Sequence, residues 1–182
     1  MRIEKNKNQL LLSVLAVGFF IGILYENLFA GKGGTVPELF QKSYLQKYLQ
    51  MKVVTRTYLW YVVKARVLFL AVFFLAGLAK WKRIAAFVCL GLIGFLFGIL
   101  TVSSVLQLGA PGLFFCIVGL IPHGLFYGIG FLVIIYHWYR NSNRKWDHTK
   151  TLFVCGTFIV GILSEAYINP WLMKLIIPIV LR

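Results

Sequence analysis

The stretch LLLSVLAVGFFIGILYENLFA at residues 10–30 decides the fold class, because Glu26 is its only charged residue. A helix of about 20 apolar residues crosses a hydrocarbon core about 30 Å thick. A secretory signal peptide is the rival interpretation. Against it, the run is too long for the apolar part of a signal, and Leu28 would occupy the third position before a cut after Ala30, where small residues are preferred. The stretch therefore predicts a transmembrane anchor.

The composition extends this prediction to the whole chain. Of its 182 residues, 60% are hydrophobic and 16% are aromatic, and the mean hydropathy is +0.82. Soluble domains contain about 45–50% apolar residues. The formal charge of +14 would suggest nucleic-acid binding in a soluble protein, but here the basic residues lie mostly between apolar runs. They are interpreted as topology signals and as contacts with anionic lipid or cell-wall polymer, and no nucleic-acid motif is present.

Four further apolar runs follow the first one. They span residues 58–78, 84–106, 113–139 and 151–168. The five runs predict an all-α fold, a polytopic membrane helix bundle of about five transmembrane helices in a single domain. Asn169 and Pro170 are expected to break the last helix, since proline removes a backbone donor. Residues 171–182 are too short to cross alone and are expected to be interfacial or re-entrant, with a sixth partial crossing as the alternative.

The polar stretch between the first two runs contains an amphipathic segment at about residues 37–56. Leu39, Phe40 and Tyr44 belong to one apolar helical stripe, whereas the lysines of this segment lie elsewhere on the helix. Such a helix is suited to a membrane surface or to packing on the bundle. These three stripe residues are candidate contacts for a partner.

The distribution of basic residues predicts a multi-pass protein of the cell membrane with a cytoplasmic N-terminus. The N-terminal flank and the connections at residues 79–83 and 140–150 are basic, whereas the turn at residues 107–112 carries no charge. Cytoplasmic loops are enriched in lysine and arginine, so the basic connections are placed inside. The amphipathic segment then lies outside, against the same rule, and its basic surface becomes a candidate for function.

Five ionisable residues within or beside the apolar runs are candidates for a polar cluster: Glu26, Lys64, Arg66, His123 and Glu165. Ionisable groups at membrane depth are costly, so they are paired or functional. The two acids and two bases are expected at one level near the outer surface, with His123 near mid-depth. Structural pairing is one interpretation, and a polar cavity open to the outside is the other.

The sequence GLIPHGLFYGIG at residues 119–130 places a proline, a histidine and four glycines in the fourth run. Pro122 is expected to kink this helix. Gly119 and Gly124 are expected to leave room for a neighbouring backbone or for irregular turns. A buried His123 with a hydrogen-bond partner is the simpler expectation, and a proton relay is the alternative.

Glycines four residues apart predict close helix packing. GFFIG at residues 18–22 and GFLFG at residues 94–98 are small-xxx-small patterns that let two backbones approach. Gly94 and Gly98 are therefore candidate packing residues.

No catalytic, metal or cofactor site is predicted. The sequence contains no P-loop, nucleophile elbow, HExxH motif or paired carboxylates. The three cysteines lie within apolar runs without metal-site spacing and are interpreted as packing residues.

Several stretches together resemble a known family. They are GFFIGILYENL, VLFLAVFFLAGLAKWKRIAAFVCLGLIGFLFGIL, LGAPGLFFCIVGLIPHG and GILSEAYINPWLMK. The LIPHG segment and the acid before Y-x-x-P-x-L-M-K are the more specific parts. In these stretches the chain resembles the stage II sporulation protein M family of bacterial membrane proteins.

This resemblance implies a membrane scaffold used during engulfment in endospore formation. Such a scaffold recruits peptidoglycan hydrolases or other membrane proteins for peptidoglycan remodelling and carries out no catalysis itself. Membrane lipid is the other expected partner, nucleic acid is not expected, and a homo-oligomer is left open. The alternative is a membrane subunit of a transporter, of the ABC-type permease kind, because a helix broken by proline and charges at depth are typical of substrate sites in transporters.

Overall fold

The computed structural model describes residues 2–29, 38–51, 55–78, 81–140 and 146–181. Within them the chain forms α1 (Arg2–Phe29), α2 (Lys42–Gln50), α3 (Thr55–Leu78), α4 (Lys82–Leu108), α5 (Ala110–Arg140), α6 (His148–Leu163) and α7 (Asn169–Val180). A 3₁₀ turn, Glu38–Phe40, precedes α2, and a π-helical turn, Ser164–Ile168, joins α6 to α7. These residues contain no β-strand, which confirms the all-α fold class.

Within the described residues, five helical spans are long and apolar enough to cross a membrane, so the chain is a multi-pass membrane protein. They are Gln9–Phe29, Arg56–Gly77, Lys82–Leu108, Ala110–Tyr139 and His148–Val180. Each helix extends beyond the apolar run that predicts it, and α1 already begins at Arg2. Backbone hydrogen bonding continues into the polar flanks because the helix does not end where the hydrocarbon ends.

The predicted break at Asn169 and Pro170 is wrong, because the helix continues through both residues. In the π turn the N–H of Asn169 donates to the carbonyl of Ser164, one residue further back than in an α-helix. This wider turn directly precedes Pro170, whose ring collides with the fourth preceding carbonyl in a regular α-helix. The span His148–Val180 has 33 residues and is about 50 Å long at about 1.5 Å per residue. Residues 171–180 therefore continue the helix that begins at His148 and are not a segment separated from it by a break.

The spanning helices alternate in direction, which gives the bundle two ends. Gly18 of α1 lies against Gly91 of α4, and Gly22 lies against Phe95, so these two helices run in parallel. The α2 end of the bundle carries α2, the start of α3, the α4–α5 turn and α7. The opposite end, called the loop end, carries the starts of α1, α4 and α6.

Glycines bring the backbones of α1 and α4 into contact. A Cβ atom on Gly18 or Gly22 would overlap a carbonyl oxygen of α4, and a Cβ atom on Gly94 or Gly98 would overlap a carbonyl oxygen of α1. The two small-xxx-small faces thus pack against each other. Since lipid tails compete for apolar side chains, such backbone contact is a principal way to hold two membrane helices together.

Gly109 forms the sharp turn between α4 and α5. Its φ of 69° and ψ of −155° define a backbone conformation that favours glycine. The N–H of Gly109 donates to the carbonyl of Val105 and closes α4. Pro111 follows in the first turn of α5, where a missing N–H costs nothing. The turn is shorter than the predicted stretch of residues 107–112 because both helices continue into it.

Two apolar clusters fill the bundle at different levels. The cluster towards the loop end joins α3, α4, α5 and α6 through buried residues that include Phe73, Leu90, Ile135 and Val154. The cluster at the α2 end joins α2, α4, α5 and α7 through residues that include Phe40, Leu45, Phe115 and Ile177. Along α5 and along the α6–α7 helix, His123 and Glu165 lie between the residues of these two clusters.

Candidate functional site

The centre of the candidate site is an ion pair between Arg66 of α3 and Glu165 of the π turn. The Nε atom of Arg66 donates to Oε2 of Glu165 at 2.9 Å, and its Nη2 atom donates to Oε1 at 2.7 Å. These two parallel hydrogen bonds are the bidentate geometry that suits a guanidinium and a carboxylate. The Glu165 side chain is 11% exposed and the Arg66 side chain 35% exposed, so the pair is screened less than one on the surface.

Tyr127 of α5 is the third member of this group. Its hydroxyl donates to Oε2 of Glu165 at 2.7 Å, and the guanidinium carbon of Arg66 lies 4.9 Å from the centre of its ring. The Glu165 carboxylate therefore accepts three hydrogen bonds, and the arginine gains a cation–π contact. We call Arg66, Tyr127 and Glu165 the polar cluster. It ties α3, α5 and the α6–α7 helix together.

The polar cluster lies near the middle of the spanning helices. Arg66 is the twelfth of the 24 residues of α3, and Tyr127 is the eighteenth of the 31 residues of α5. Arg66 and Glu165 therefore lie farther from the helix ends than predicted, because α3 begins three residues before its apolar run and the last span continues to Val180 instead of ending at residue 168. Charges cost most at the bilayer centre, so their pairing matters more here than at the predicted level.

The π turn determines how Glu165 meets its partners. Ser164, Glu165 and Ala166 are buried in succession, whereas a regular amphipathic helix turns consecutive residues to different faces. An inserted residue widens the turn and changes which face the following residues present. Such π turns occur frequently at functional sites, which makes this segment the most distinctive part of the backbone.

His123 lies one helical turn from Tyr127 on α5. Its ring centre is 6.0 Å from that of Tyr127, and the residue is buried. In the part of the chain that the structure describes, neither its Nδ1 atom nor the buried Oγ of Ser164 has a hydrogen-bond partner. The expected hydrogen bond of His123 is therefore not formed at Nδ1. Buried polar atoms rarely lack a partner. The Nδ1 atom of His123 and the Oγ atom of Ser164 are exceptions, and each can still form a hydrogen bond beside the ion pair.

The glycines around His123 differ from their predicted roles. Pro122 lies inside α5, which is helical from Ala110 to Arg140, and the kink expected there stays a prediction. Gly119 faces the side chain of Met173 in α7, and no other described element lies within 4 Å of the Cβ position of Gly124. The predicted approach of a neighbouring backbone at these two glycines is therefore wrong.

Glu26 and Lys64 do not join the polar cluster. Glu26 is buried near the end of α1 and accepts a hydrogen bond of 2.7 Å from Oγ of Ser103 in α4. The side chain of Lys64 is exposed. The expected group of two acids and two bases is thus divided into one ion pair at mid-depth and one acid–serine pair near the α2 end.

The segment before α3 is fixed to the bundle by Phe40 and Leu45, which are 5% and 2% exposed. The ring of Phe40 meets that of Phe115 edge-on, with their centres 6.2 Å apart. Phe40 is therefore not accessible to a partner, whereas Leu39 and Tyr44 are exposed. The predicted stripe fails here because residues 38–40 form a 3₁₀ turn, and an extended residue, Gln41, separates this turn from α2.

A cavity of about 570 Å³ opens between α2, the start of α3 and α7. Its lining includes four tyrosines: Tyr44, Tyr48, Tyr58 and Tyr61. Asn169 also lines it, and the buried Oδ1 atom of this residue has no hydrogen-bond partner among the described residues. Tyr58 is close enough to the polar cluster to interact electrostatically with both Glu165 and Arg66.

Three residues of these sites are not predicted from the sequence. Tyr127 follows His123 by four residues, so its position on the same helical face is a usable signal. Ser103 belongs to a pair of serines in an otherwise apolar run, which is also a visible signal. Asn169 has no comparable signal, because a residue before proline is first interpreted as the end of a helix.

No group of three or more histidine, cysteine, aspartate or glutamate side chains in the described segments is arranged to hold a metal ion. The fold and these contacts define a multi-pass, all-α membrane protein with an ion pair at mid-depth and an amphipathic helix docked at one end. No protein-family model, curated protein or solved structure matches the chain.

Proposed function

We propose that the chain is a membrane scaffold for peptidoglycan remodelling that recruits and organises peptidoglycan-degrading partners. The sequence resemblance places this role in engulfment during endospore formation. In this proposal the chain positions its partners by contact, and the partners carry out the bond cleavage. The protein lies in the cell membrane with its N-terminus in the cytoplasm, so that the α2 end faces the cell wall.

The arrangement of α2 is the observation that carries the proposal. Phe40 and Leu45 anchor the segment, while Lys42, Tyr44 and Lys47 are exposed. A fixed helix loses little conformational entropy when a partner binds, which favours recognition over a flexible loop. Its lysines complement an acidic surface and steer the encounter with it.

The test of recruitment uses charge reversal on α2. We expect Lys42→Glu with Lys47→Glu to reduce co-purification of a peptidoglycan hydrolase about tenfold or more. The two new glutamates would repel the acidic surface of the partner that the lysines attract. The matched control is Lys82→Glu with Arg83→Glu at the loop end, which makes the same change of charge. Equal recovery with both double variants would refute recruitment through α2.

The orientation has its own test. In a background without the native cysteines, Ser43→Cys in α2 and Arg83→Cys at the start of α4 report opposite ends of the bundle, and both positions are exposed. A membrane-impermeant maleimide should label Ser43→Cys on intact cells and Arg83→Cys only after permeabilisation. The reverse pattern would overturn the cytoplasmic N-terminus.

A transporter subunit is the second candidate, because the polar cluster lies at mid-depth. Substrate and ion sites of transporters lie at this level and are formed by irregular helices, as the π turn is. His123 and Ser164 would supply the hydrogen-bonding atoms that the ion pair leaves free. Solute flux in proteoliposomes that falls with His123→Ala, but not with Gly124→Ala, would favour this function over the scaffold.

A further inference from the structure

We propose that the cavity between α2, α3 and α7 binds one anionic glycerophospholipid whose headgroup carries a hydroxyl, as in phosphatidylglycerol. This proposal concerns a lipid ligand and does not depend on the scaffold function. The cavity volume of about 570 Å³ lies within the range of about 300–1,000 Å³ for small-ligand pockets. Leu39, Met51, Phe115 and Ile177 contribute apolar walls.

The aromatic residues place the cavity at the boundary between hydrocarbon and water. Four tyrosines line it, and each combines an apolar ring with a polar hydroxyl. Trp60 directly precedes the lining residue Tyr61, Trp171 follows the lining residue Asn169 by two positions, and both tryptophans are exposed. Tyrosine and tryptophan concentrate at the membrane interface. An occupant at this level therefore meets both an apolar chain environment and a polar headgroup environment, as a lipid does.

Asn169 gives the cavity a polar requirement. Its Oδ1 atom is buried, lines the cavity and has no partner in the described parts of the chain. A carbonyl oxygen accepts hydrogen bonds, so a matching occupant must bring a donor. The hydroxyls of a glycerol headgroup are such donors, whereas the quaternary ammonium of phosphatidylcholine is not.

The rim of the cavity gives it a charge requirement. Nζ of Lys174 donates to the carbonyl oxygen of Met51 at 3.2 Å, which places this ammonium beside a lining residue. Arg56 is exposed and directly precedes Thr57, another lining residue. A phosphate diester at the rim would be attracted to both cations, and juxtamembrane lysine and arginine recognise anionic lipid in this way.

An anionic glycerophospholipid with a headgroup hydroxyl meets all three requirements together. An apolar chain matches the walls, a hydroxyl matches Asn169, and a phosphate matches Lys174 and Arg56. An apolar segment of a partner protein would fill the walls, but it would not by itself supply the negative charge. The bilayer also offers lipid at high local concentration at this level, so the lipid is the favoured occupant.

The test measures retained lipid. The full-length protein is reconstituted into bilayers that contain equal amounts of phosphatidylglycerol and phosphatidylcholine, extracted in detergent, and analysed by native mass spectrometry. We expect one retained phosphatidylglycerol and at least about tenfold less phosphatidylcholine, because the trimethylammonium of phosphatidylcholine offsets the phosphate charge and offers Asn169 no donor. Thr57→Trp should remove the retained lipid by filling the cavity.

Further variants separate the two polar requirements. Arg56→Gln with Lys174→Gln should reduce the preference for phosphatidylglycerol over phosphatidylcholine to the part that Asn169 supplies, while the walls still accept a chain. Asn169→Leu should lower the retention of phosphatidylglycerol and remove its advantage over an anionic phosphodiester lipid that lacks a headgroup hydroxyl, because the acceptor for that hydroxyl is gone.

The matched control fills a different groove. Ser13→Trp adds a large side chain to a groove of about 370 Å³ between α1 and α4, whose lining residues carry no charge. This variant should retain phosphatidylglycerol as the wild type does.

Equal retention of both lipids by the wild type, or full retention by Thr57→Trp, would overturn the proposal. If Thr57→Trp does not fold, an unchanged lipid preference in Arg56→Gln with Lys174→Gln overturns it instead. If the wild type retains neither lipid, the proposal is also overturned, and an apolar segment of a partner protein becomes the favoured occupant of the cavity.

Discussion

Arg66 donates two parallel hydrogen bonds to Glu165, although the two residues are 99 positions apart in the chain. The pair joins the second spanning helix to the last one at mid-depth. Each ion alone would be costly in hydrocarbon, so the folded arrangement is the one in which both are satisfied. The pair therefore acts as a constraint on which helices become neighbours, as well as a stabilising contact.

Neutralising one member of this pair should destabilise the protein. We expect Glu165→Gln to lower the free energy of unfolding by about 2–3 kcal/mol, because it leaves the Arg66 cation without its carboxylate. This is below the value for a fully buried pair, since Arg66 is 35% exposed and partly screened. The unfolding midpoint in detergent, followed by fluorescence, provides the measurement.

Two further variants make this prediction specific. Arg66→Gln with Glu165→Gln should be less destabilising than the two single changes added together, because no unpaired charge remains. Lys64→Gln, an exposed lysine on the same helix, should have little effect. If Lys64→Gln and Glu165→Gln lower the midpoint equally, the ion pair is not the cause.

Ser103 is expected to matter more than its neighbour Ser104. Both are fully buried, but Ser103 donates to the carboxylate of Glu26, whereas Ser104 donates to the carbonyl of Thr101 in its own helix. Ser103→Ala should cost about 1–3 kcal/mol, since it removes a donor from a buried acid. Ser104→Ala should cost less, because it removes a local bond. Thermal unfolding of the two variants under identical conditions measures these losses. A larger loss in Ser104→Ala than in Ser103→Ala would refute the role of Ser103 as the donor to Glu26.

The contact between α1 and α4 should be sensitive to a single methyl group. A Cβ atom on Gly94 would overlap the carbonyl oxygen of Leu15, and backbone atoms can move only if the helices separate. We expect Gly94→Ala to cost about 1–3 kcal/mol of stability, as overpacked cores do. Gly156→Ala is the matched control, because no atom of another described element lies within 4 Å of its Cβ position. Gly156→Ala should be neutral or stabilising, because alanine favours a helix more than glycine does. A stability loss of similar size in this control would show that the loss in Gly94→Ala does not come from packing.

The spanning helices could be predicted because their signal is local. A run of apolar residues long enough for the bilayer predicts a helix regardless of what surrounds it, and all five runs correspond to observed spans. The glycine spacing of α1 and α4 is also local, and its role in close packing holds for Gly94 and Gly98.

The errors arise where one local rule is overridden by a non-local contact. Pro170 reads as a helix break, but the preceding π turn and the packing of α7 against α5 keep the chain helical. Glu26 has the chemistry to pair with a base, yet its partner is Ser103, which is 77 positions away. Sequence spacing ranks candidates for pairing but does not choose among them, because that choice depends on how the helices are arranged.

The docking of α2 provides the last prediction, and it concerns both stability and recruitment. Leu45 is 2% exposed and belongs to the apolar cluster at the α2 end, so truncation removes its buried contacts there. Replacing a buried leucine by alanine costs about 2–5 kcal/mol, and here the loss falls on a helix of only nine residues. We therefore expect Leu45→Ala to release α2 locally and to increase amide hydrogen exchange of Lys42–Gln50 at least about tenfold, while exchange in α4 and α5 is unchanged. Tyr44→Ala, at the exposed neighbouring position, should leave the exchange of α2 nearly as it is.

Unchanged exchange in Leu45→Ala would contradict docking through this residue. If docking is confirmed and α2 recruits partners as a fixed surface, Leu45→Ala should also weaken hydrolase co-purification, although both lysines of the surface remain in place.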